Sequence, residues 1–584
     1  MSAFDRLNGS VRHHVVNSLG WASLRPHQEQ AIEPILRGEH VLIQAPTAGG
    51  KTEAALLPVL SRMLDEAWGS PGVLYLCPIK ALLNDLETRI HRLATLLGRR
   101  VAVWHGDVNA ATRRRITRDP PDILLATPES VEVMLVSRLV EHRQFFAPLR
   151  AVIVDEVHAF AGDDRGWHLL ALLERIARLA DQPIQRIALS ATLANAGALL
   201  RWLTAGADEP RCVSATAAPE RGTEDVQVDY VGSIENAALV ISRLHAGEKR
   251  LVFCDSRSQV ESLASALRGY GVSTYVSHSS LSREERQRAE AAFALGSGCV
   301  IVATSTLELG IDVGDLDRVI QIDAPYTVAA FLQRLGRTGR RPGSQSNCLF
   351  LATTEEALLR AAAVTLLWRE GYVEPIEPPP LPYHVLAQQI LALTLQEGGV
   401  ERAKLTRWLE GFCATARISA QELAALVEHM LEVGILFEDG GILSVGAEGE
   451  ARYGLKNFLE VFSVFLSPPY FHVFHGRNEI GQVHEQSLRR GAHGPPLLSL
   501  GGRGWKVTHV DWAVMRRVYV EPVDMPGRSR WLGHGQALHF DLCRAAKRVL
   551  SGAILSPHLS QRATAALDEL RSAFSWITPT GTDV

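Results

Sequence analysis

Val41-Leu42-Ile43-Gln44-Ala45-Pro46-Thr47-Ala48-Gly49-Gly50-Lys51-Thr52-Glu53-Ala54-Ala55-Leu56-Leu57 decides the fold. Four strand-forming residues run into a loop of small residues, and the loop opens a helix. In that order a chain closes backbone N–H groups around a polyphosphate and aims the positive end of the new helix at it. Thr47, Gly49 and Gly50 let the backbone approach, Lys51 supplies a point charge for β- and γ-phosphates, and the Thr52 hydroxyl suits magnesium. Ala45 stands where the strict pattern has glycine, and it is small enough to keep the cradle open.

A second motif lies about a hundred residues downstream. Val152-Ile153-Val154 reads as a strand that delivers Asp155 and Glu156 to its carboxyl end, where α/β sheets bind ligands. One carboxylate can hold the magnesium that bridges the phosphates, and its neighbour can deprotonate water. We assign Asp155 to the metal and Glu156 to the general base, with His158 placed to couple the site to another lobe. The pair of motifs predicts an ATP-hydrolysing machine that uses ATP and Mg2+.

The sequence around these motifs predicts two α/β units in tandem. Short apolar runs at Val41–Gln44, Gly72–Cys77, Val101–Trp104, Ile123–Ala126, Ala151–Val154 and Arg186–Leu189 alternate with helical stretches. That pattern predicts a parallel sheet covered on both faces. A second series follows at Leu251–Cys254, Thr274–Ser277, Val300–Ala303, Val319–Ile322 and Cys348–Ala352, without a phosphate loop of its own. The proline-rich stretch 374–382 reads as a stiff boundary linker. Beyond it, helices at Val385–Gln396, Leu405–Leu409 and Ala420–Val433 precede a hairpin, Ile435–Glu438 and Gly441–Val445, which suggests a winged helix. Mixed strands (Phe471–Phe474, Lys506–Val510, Arg517–Val520) and a final helix, Gln561–Trp576, complete the chain. The expected domain limits are 1–215, 216–360, 361–450 and 451–584.

Bulk composition narrows the class. A chain of 584 residues is too long for one core. It has no apolar run of membrane-spanning length, and Met1–Arg6 lacks the layout of a signal peptide. Its seven cysteines are scattered without a C-x-x-C pair, which fits a reducing, cytoplasmic setting. Net charge is −4, yet residues from 451 onward carry 16 Lys and Arg against 10 Asp and Glu, a weakly basic segment compatible with nucleic acid. His105, His278 and His475 have no metal-ligand spacing and read as structural or backbone-contacting.

Over residues 21–343 the ordered motifs resemble those of superfamily 2 nucleic-acid helicases of the DExH type, whose phosphate loops often begin with Ala. Arg25-Pro26-His27-Gln28 resembles the segment whose glutamine reads adenine. Cys77-Pro78-Ile79-Lys80 and Thr127-Pro128-Glu129-Ser130 resemble motifs Ia and Ib, so Pro78, Lys80, Thr127 and Pro128 are candidates for gripping the strand backbone. Ser190-Ala191-Thr192 resembles motif III, which links hydrolysis to strand movement through Ser190 and Thr192. Phe253-Cys254-Asp255-Ser256-Arg257 resembles motif IV. Thr304-Ser305-Thr306-Leu307-Glu308-Leu309-Gly310-Ile311-Asp312 resembles motif V. By that likeness Arg257, Thr304 and Thr306 would contact nucleic acid, and Gly310 and Asp312 the nucleotide.

Gln333-Arg334-Leu335-Gly336-Arg337-Thr338-Gly339-Arg340 resembles motif VI, with Gln333 as a coupling residue. Arginines three apart on a helical turn share a face, so Arg337 and Arg340 could both aim at a γ-phosphate and stabilise transition-state charge. The resemblance implies two RecA-like parallel-sheet domains followed by a winged helix and a mixed α+β C-terminal domain.

Leu386-Ala387-Gln388-Gln389-Ile390, Gly481 and Leu500-Gly501-Gly502-Arg503-Gly504-Trp505-Lys506-Val507 resemble the core of the Lhr (long helicase-related) family. That likeness implies ATP-dependent 3′→5′ translocation on single-stranded DNA, unwinding of DNA and RNA:DNA duplexes, and a link to DNA repair. The long extension of full-length bacterial members is not in this sequence, and its functions are not carried over. Trp505, Trp512 and Trp531 are candidate stacking platforms or wedges. Two other readings stay open. One is an RNA helicase, since a backbone grip tolerates either polymer. The other is an ATP-gated scaffold in a repair or defence assembly that recruits a separate nuclease.

Overall fold

A computed structural model describes residues 2–46, 49–206, 211–214, 224–307, 316–339, 345–454, 470–488, 495–512, 516–525, 527, 529, 531, 537–552 and 558–577. The chain divides into two compact units, residues 1–216 with 375–466, and residues 217–374 with 467–584.

The first unit is built on a seven-stranded, all-parallel sheet. Its strands are β1 (Val41–Gln44), β2 (Val73–Leu76), β3 (Val101–Trp104), β4 (Ile123–Ala126), β5 (Ala151–Val154), β6 (Gln185–Ser190) and β7 (Arg211–Ser214), in the order β3-β4-β2-β5-β6-β1-β7. Alternate residues enter opposite cores. Val41, Ile43, Val73, Tyr75 and Ile153 join one cluster, while Leu42, Leu74, Leu76, Val152 and Val154 join the other. Burial on both faces is why these strands read as continuous apolar runs. Edge strand β7 exposes three of its four residues, so no apolar run announces it.

The second unit holds a six-stranded parallel sheet: β8 (Asp225–Tyr230), β9 (Arg250–Phe253), β10 (Thr274–Ser277), β11 (Val300–Ala303), β12 (Arg318–Ile322) and β13 (Asn347–Ala352), in the order β10-β11-β9-β12-β13-β8. The two sheets are RecA-like, as the motif order implies.

Each motor sheet carries an appendage within its own unit. On the first, helices Tyr383–Glu397, Arg402–Ala416 and Ala420–Glu432 pack with a small antiparallel sheet of β14 (Val400–Glu401), β15 (Leu436–Asp439) and β16 (Ile442–Val445), which is a winged helix. On the second, a mixed sheet of β17 (Tyr470–His475), β18 (Asn478–His484), β19 (Leu497–Leu500), β20 (Arg503–Asp511) and β21 (Arg517–Val523) is ordered β18-β17-β21-β20-β19. Helices Phe540–Leu550 and Gln561–Ala573 close against the motor core.

Two expectations are revised, and one is made more specific. The limits expected at 360 and 450 fall inside the helices Glu355–Arg369 and Ala447–Tyr453, and the units meet between Glu374 and Pro375 instead. The proline-rich stretch begins at this break, as a boundary linker should, and it is docked on the first unit. Asn195 exchanges two hydrogen bonds with the Ile376 backbone (2.8 and 3.0 Å), and Trp167 Nε1 donates to Pro379 O at 2.7 Å. Arg337 is not on a regular helix, because Val328–Leu335 ends before Gly336 and Arg337 lies in the turns that follow. Arg340 lies outside the described residues, so the shared-face argument no longer supports the pair.

Candidate active site

β5, β6 and β1 are neighbours, so the phosphate loop, the acidic motif and the Ser190 motif leave the same sheet edge side by side. Gln44 is in register with Ser190, and Ala45 N donates to Ser190 O at 3.2 Å. Helix Lys51–Asp65 follows the loop directly, with Gly50 at φ 82° as its cap. A side chain at Gly50 would stand 2.5 Å from Gln28 Nε2, and one at Gly49 would stand 2.8 Å from Ala45 Cβ and Pro46 O. The cradle therefore has room for backbone alone. Thr47 lies outside the described residues.

Lys51 is buried and donates to Ala45 O at 3.1 Å, with its ammonium 3.7 Å from Glu156 Oε1. Asp155 Oδ2 accepts from the Tyr75 hydroxyl at 2.8 Å, and Asp155 Oδ1 accepts from the Glu156 N–H at 2.9 Å. Glu156 sits at φ 47°, the left-handed region that costs a residue with a Cβ about 1–2 kcal/mol. That turn places its carboxylate between Lys51 and His158, whose Nδ1 is 3.4 Å from Glu156 Oε2 and 2.9 Å from Ser190 Oγ. Thr192 lies exposed just beyond.

Electrostatics favour a cation here. Burial raises the Asp155 pKa to about 7, and the neighbouring Glu156 charge adds to the rise against the pull of Lys51 and the Tyr75 hydroxyl. Two buried carboxylates thus face one ammonium. Thr52 and Asp155 offer hard oxygen ligands, yet among the described residues no group of three acidic, His or Cys side chains could cage a metal alone. This donor set fits Mg2+, which keeps several waters and is held by one or two carboxylates together with substrate phosphates.

Gln28 is buried against the loop. Its Nε2 donates to Gly50 O at 3.2 Å and its Oε1 accepts from Arg25 N at 2.9 Å, so Arg25 and Gln28 cap helix Pro26–Leu36 beside the cradle.

The candidate nucleic-acid residues differ in exposure. Lys80 is exposed and donates to Asp107 at 3.0 Å. Pro78 is buried, with its carbonyl accepting from Arg165, and Thr127 and Pro128 form the buried cap and first turn of helix Pro128–Val136. In the second unit Arg257 donates to the Tyr470 hydroxyl at 3.2 Å, and Thr304 is half-buried. The Thr306 side chain, Gly310 and Asp312 lie outside the described residues. Gln333 is on helix Val328–Leu335, and Arg337 is buried after it. Trp505 is 6% exposed and Trp512 is 55% exposed, so only the latter offers a ring at the open surface, while Trp505 shows just the part of its ring that lines a cavity; Trp531 is half-buried.

Sequence reasoning missed Tyr75, whose place on an apolar strand disguises it, and Glu374. The Glu374 carboxylate accepts from Val328 N and Ala329 N (2.7 and 3.1 Å), capping the helix that leads to Arg337.

Family models agree with the geometry. The DEAD/DEAH box helicase model matches residues 25–199, and the helicase conserved C-terminal domain model matches residues 234–342. The chain carries the two domains of a DEAD/DEAH box helicase motor. Beyond the motor, it is similar to Lhr proteins over most of its length. It is 33% identical to the Lhr helicase/uracil glycosylase of Escherichia coli over 87% of this chain and 38% of that protein. It is 29% identical to the ATP-dependent helicase Lhr-Core protein 2 of Thermococcus barophilus, over 90% of this chain and 66% of that one. The structure of Mycobacterium smegmatis helicase Lhr bound to ssDNA and AMP-PNP superposes with a TM-score of 0.75 and 26% identity, covering 98% of this chain and 74% of that one. The chain thus spans well under half the length of the Escherichia coli relative.

Proposed function

We propose that the chain is an ATP-hydrolysing helicase and translocase that moves 3′→5′ on single-stranded DNA and opens DNA or RNA:DNA duplexes, in DNA repair or genome defence. The observation that carries this reading is the meeting of Lys51, Asp155, Glu156, His158 and Ser190 at one sheet edge, with Lys51 Nζ 3.7 Å from Glu156. Likeness to a Lhr structure that holds ssDNA and AMP-PNP supports the choice of ligands.

In this mechanism Lys51 and the loop N–H groups bind the β- and γ-phosphates. Thr52 and Asp155 would hold Mg2+, which neutralises developing phosphate charge when bound. Glu156 takes a proton from the attacking water, and its strained φ keeps the carboxylate aimed. His158 and Ser190 report the state of Glu156 to the Ser190–Thr192 segment through the 2.9 Å hydrogen bond. Arg337, with Arg340, supplies positive charge to the γ-phosphate, while Gly310, Asp312, Gln28 and Arg25 bind the rest of the nucleotide. ATP then favours closure and hydrolysis releases it, biasing a two-state hinge. Pro78, Lys80, Thr127, Pro128, Arg257, Thr304 and Thr306 grip the backbone, so base sequence is not read. Exposed Trp512 is the stacking candidate.

Strand displacement on 3′-tailed DNA, RNA and hybrid duplexes tests the proposal. DNA and hybrid displacement by the unmodified chain, with ATP hydrolysis reduced about 10²–10³-fold in Lys51→Ala, is expected. Glu156→Gln should retain nucleotide binding and lose turnover by about 10²–10⁴-fold. Displacement of RNA duplexes alone would assign an RNA helicase. Hydrolysis without displacement would leave the nuclease-recruiting scaffold.

A further inference from the structure

The second unit contains a cavity of about 430 Å³ between its motor sheet and its C-terminal mixed sheet. Arg268 and the β10 residues Tyr275 and Val276 form one wall. Helix Arg283–Leu295 contributes Glu285 and Arg288, and the mixed sheet contributes His475, Leu500, Arg503 and Trp505. That volume lies within the range of small-molecule sites, whose usual design is an apolar body with a few convergent polar groups.

Charge sets this cavity apart. Three guanidinium groups and an imidazole line it, against the single carboxylate of Glu285. Arg288 is engaged by Glu285 at 2.9 Å. Arg268 gives one N–H from each terminal nitrogen to the carbonyls of Gly501 (2.9 Å) and Thr274 (3.0 Å), which orient it without neutralising it and use two of the five donors of a guanidinium. Burial lowers the pKa of Arg268, Glu261 opposes this, and the Arg503 charge lowers it further. The two guanidiniums therefore face the same space with like charge, a cost that an anion between them would remove.

The apolar part is equally fixed. Trp505 Nε1 donates to Leu500 O at 2.9 Å, so the indole has no polar demand left and presents only its ring. His475 packs against it at 5.5 Å between centroids, and Tyr275 adds a third ring. A phosphate suits the planar, bidentate donors of arginine, and a base suits a ring-lined wall.

We propose that this cavity binds a nucleoside 5′-phosphate, with the phosphate on Arg503 and Arg268 and the base against Trp505 and His475. The ligand is either a free mononucleotide or the 5′-phosphorylated end of a strand. The site lies wholly in the second unit and holds whether or not the ATP reading of the first unit does.

Calorimetric titration of dAMP into the full-length chain tests it, with Arg503→Glu, Arg288→Glu and Lys51→Ala as variants. Both arginines sit at the exposed rim, so folding is expected to survive, which a thermal melt checks. Binding weakened at least tenfold by Arg503→Glu, less by Arg288→Glu, and unchanged by Lys51→Ala supports a free-mononucleotide site. No dAMP binding, with Arg503-dependent binding of a trinucleotide that requires its 5′-phosphate, supports the strand end. Three results overturn the proposal: adenosine binding as well as dAMP, binding sensitive only to Lys51→Ala, or no Arg503-dependent binding of either probe.

Discussion

Both motor domains pin their appendage with a buried glutamate, but they do so by different chemistry. In the first unit Glu132, wholly buried on helix Pro128–Val136, meets Arg175 (2.6 Å), His168 (3.0 Å) and the winged-helix residue Gln389 (3.1 Å). Arg175 in turn reaches Gln389 and Gln396. In the second unit Glu261, on helix Arg257–Gly269, accepts from the backbone N–H groups of Gly501 (2.7 Å) and Gly502 (2.5 Å), from Ser499 Oγ (3.2 Å), and pairs with His278 (2.9 Å). One clamp is made of side chains, the other mostly of main chain. A side-chain clamp is brittle to substitution at either partner. A main-chain clamp depends on the turn that presents its N–H groups.

The largest effect is expected from Arg175→Ala. Removing one partner of a buried pair leaves the other charge uncompensated, at about 3–5 kcal/mol. The chain has two units and need not unfold in one step, so hydrogen exchange of helix Tyr383–Glu397 is the measurement. Exchange there should rise sharply, with little change in the second unit's strands. Replacing both partners, as Glu132→Leu with Arg175→Met, should restore much of the protection. If the double variant is as labile as the single, the clamp acts by something other than buried charge.

Acid gives the next effect, on the side-chain clamp. Burial raises the Glu132 pKa, but Arg175, His168 and Gln389 overcome this and hold it at about 2. The folded value lies below the unfolded one, so the contribution is complete above about pH 4.5 and is lost as pH falls toward 2. Winged-helix protection in the unmodified chain should therefore fall across that window, and more steeply than in Glu132→Gln, whose amide does not titrate.

These clamps also show what the sequence could disclose. The parallel strands were legible because burial on both faces leaves continuous apolar runs, and the phosphate loop because backbone crowding admits only small residues. Glu132 and Glu261 were not legible. Each is one acid on a helix, and its partners lie 43 residues away (Arg175) or 240 and 241 residues away (Gly501 and Gly502). Yet all three C-terminal segments that resemble the Lhr core lie at the contacts. Gln389 enters the Arg175 network. Gly481 packs where a side chain would strike Ser280 O, and Gly501-Gly502 presents the two N–H groups to Glu261. Trp505, in the same signature, is buried between the mixed sheet and the cavity it lines instead of standing free at the surface.

A moderate effect is expected from Glu261→Gln. The amide keeps one acceptor oxygen but brings its NH2 toward backbone N–H donors, leaving at least one of them unsatisfied, at about 1–3 kcal/mol. Exchange of the Gly501 and Gly502 amides, and of strand β19, is the measurement. Unchanged protection would show that the apolar contacts between the mixed sheet and helix Arg257–Gly269 hold the appendage without the carboxylate.

The smallest effect comes from the turn itself and discriminates between its two glycines. Both adopt left-handed backbone, φ 64° at Gly501 and φ 67° at Gly502. A methyl at Gly501 meets only Leu281 Cδ2 at 3.9 Å, so Gly501→Ala carries the conformational cost alone, about 1–2 kcal/mol. A methyl at Gly502 would collide with the Arg268 guanidinium and approach Ala264 Cβ to 3.1 Å. Gly502→Ala should therefore exceed Gly501→Ala in local exchange, because Arg268 must leave the Gly501 carbonyl to make room. Equal effects would mean that Arg268 yields freely and that the main-chain clamp rests on Glu261 alone.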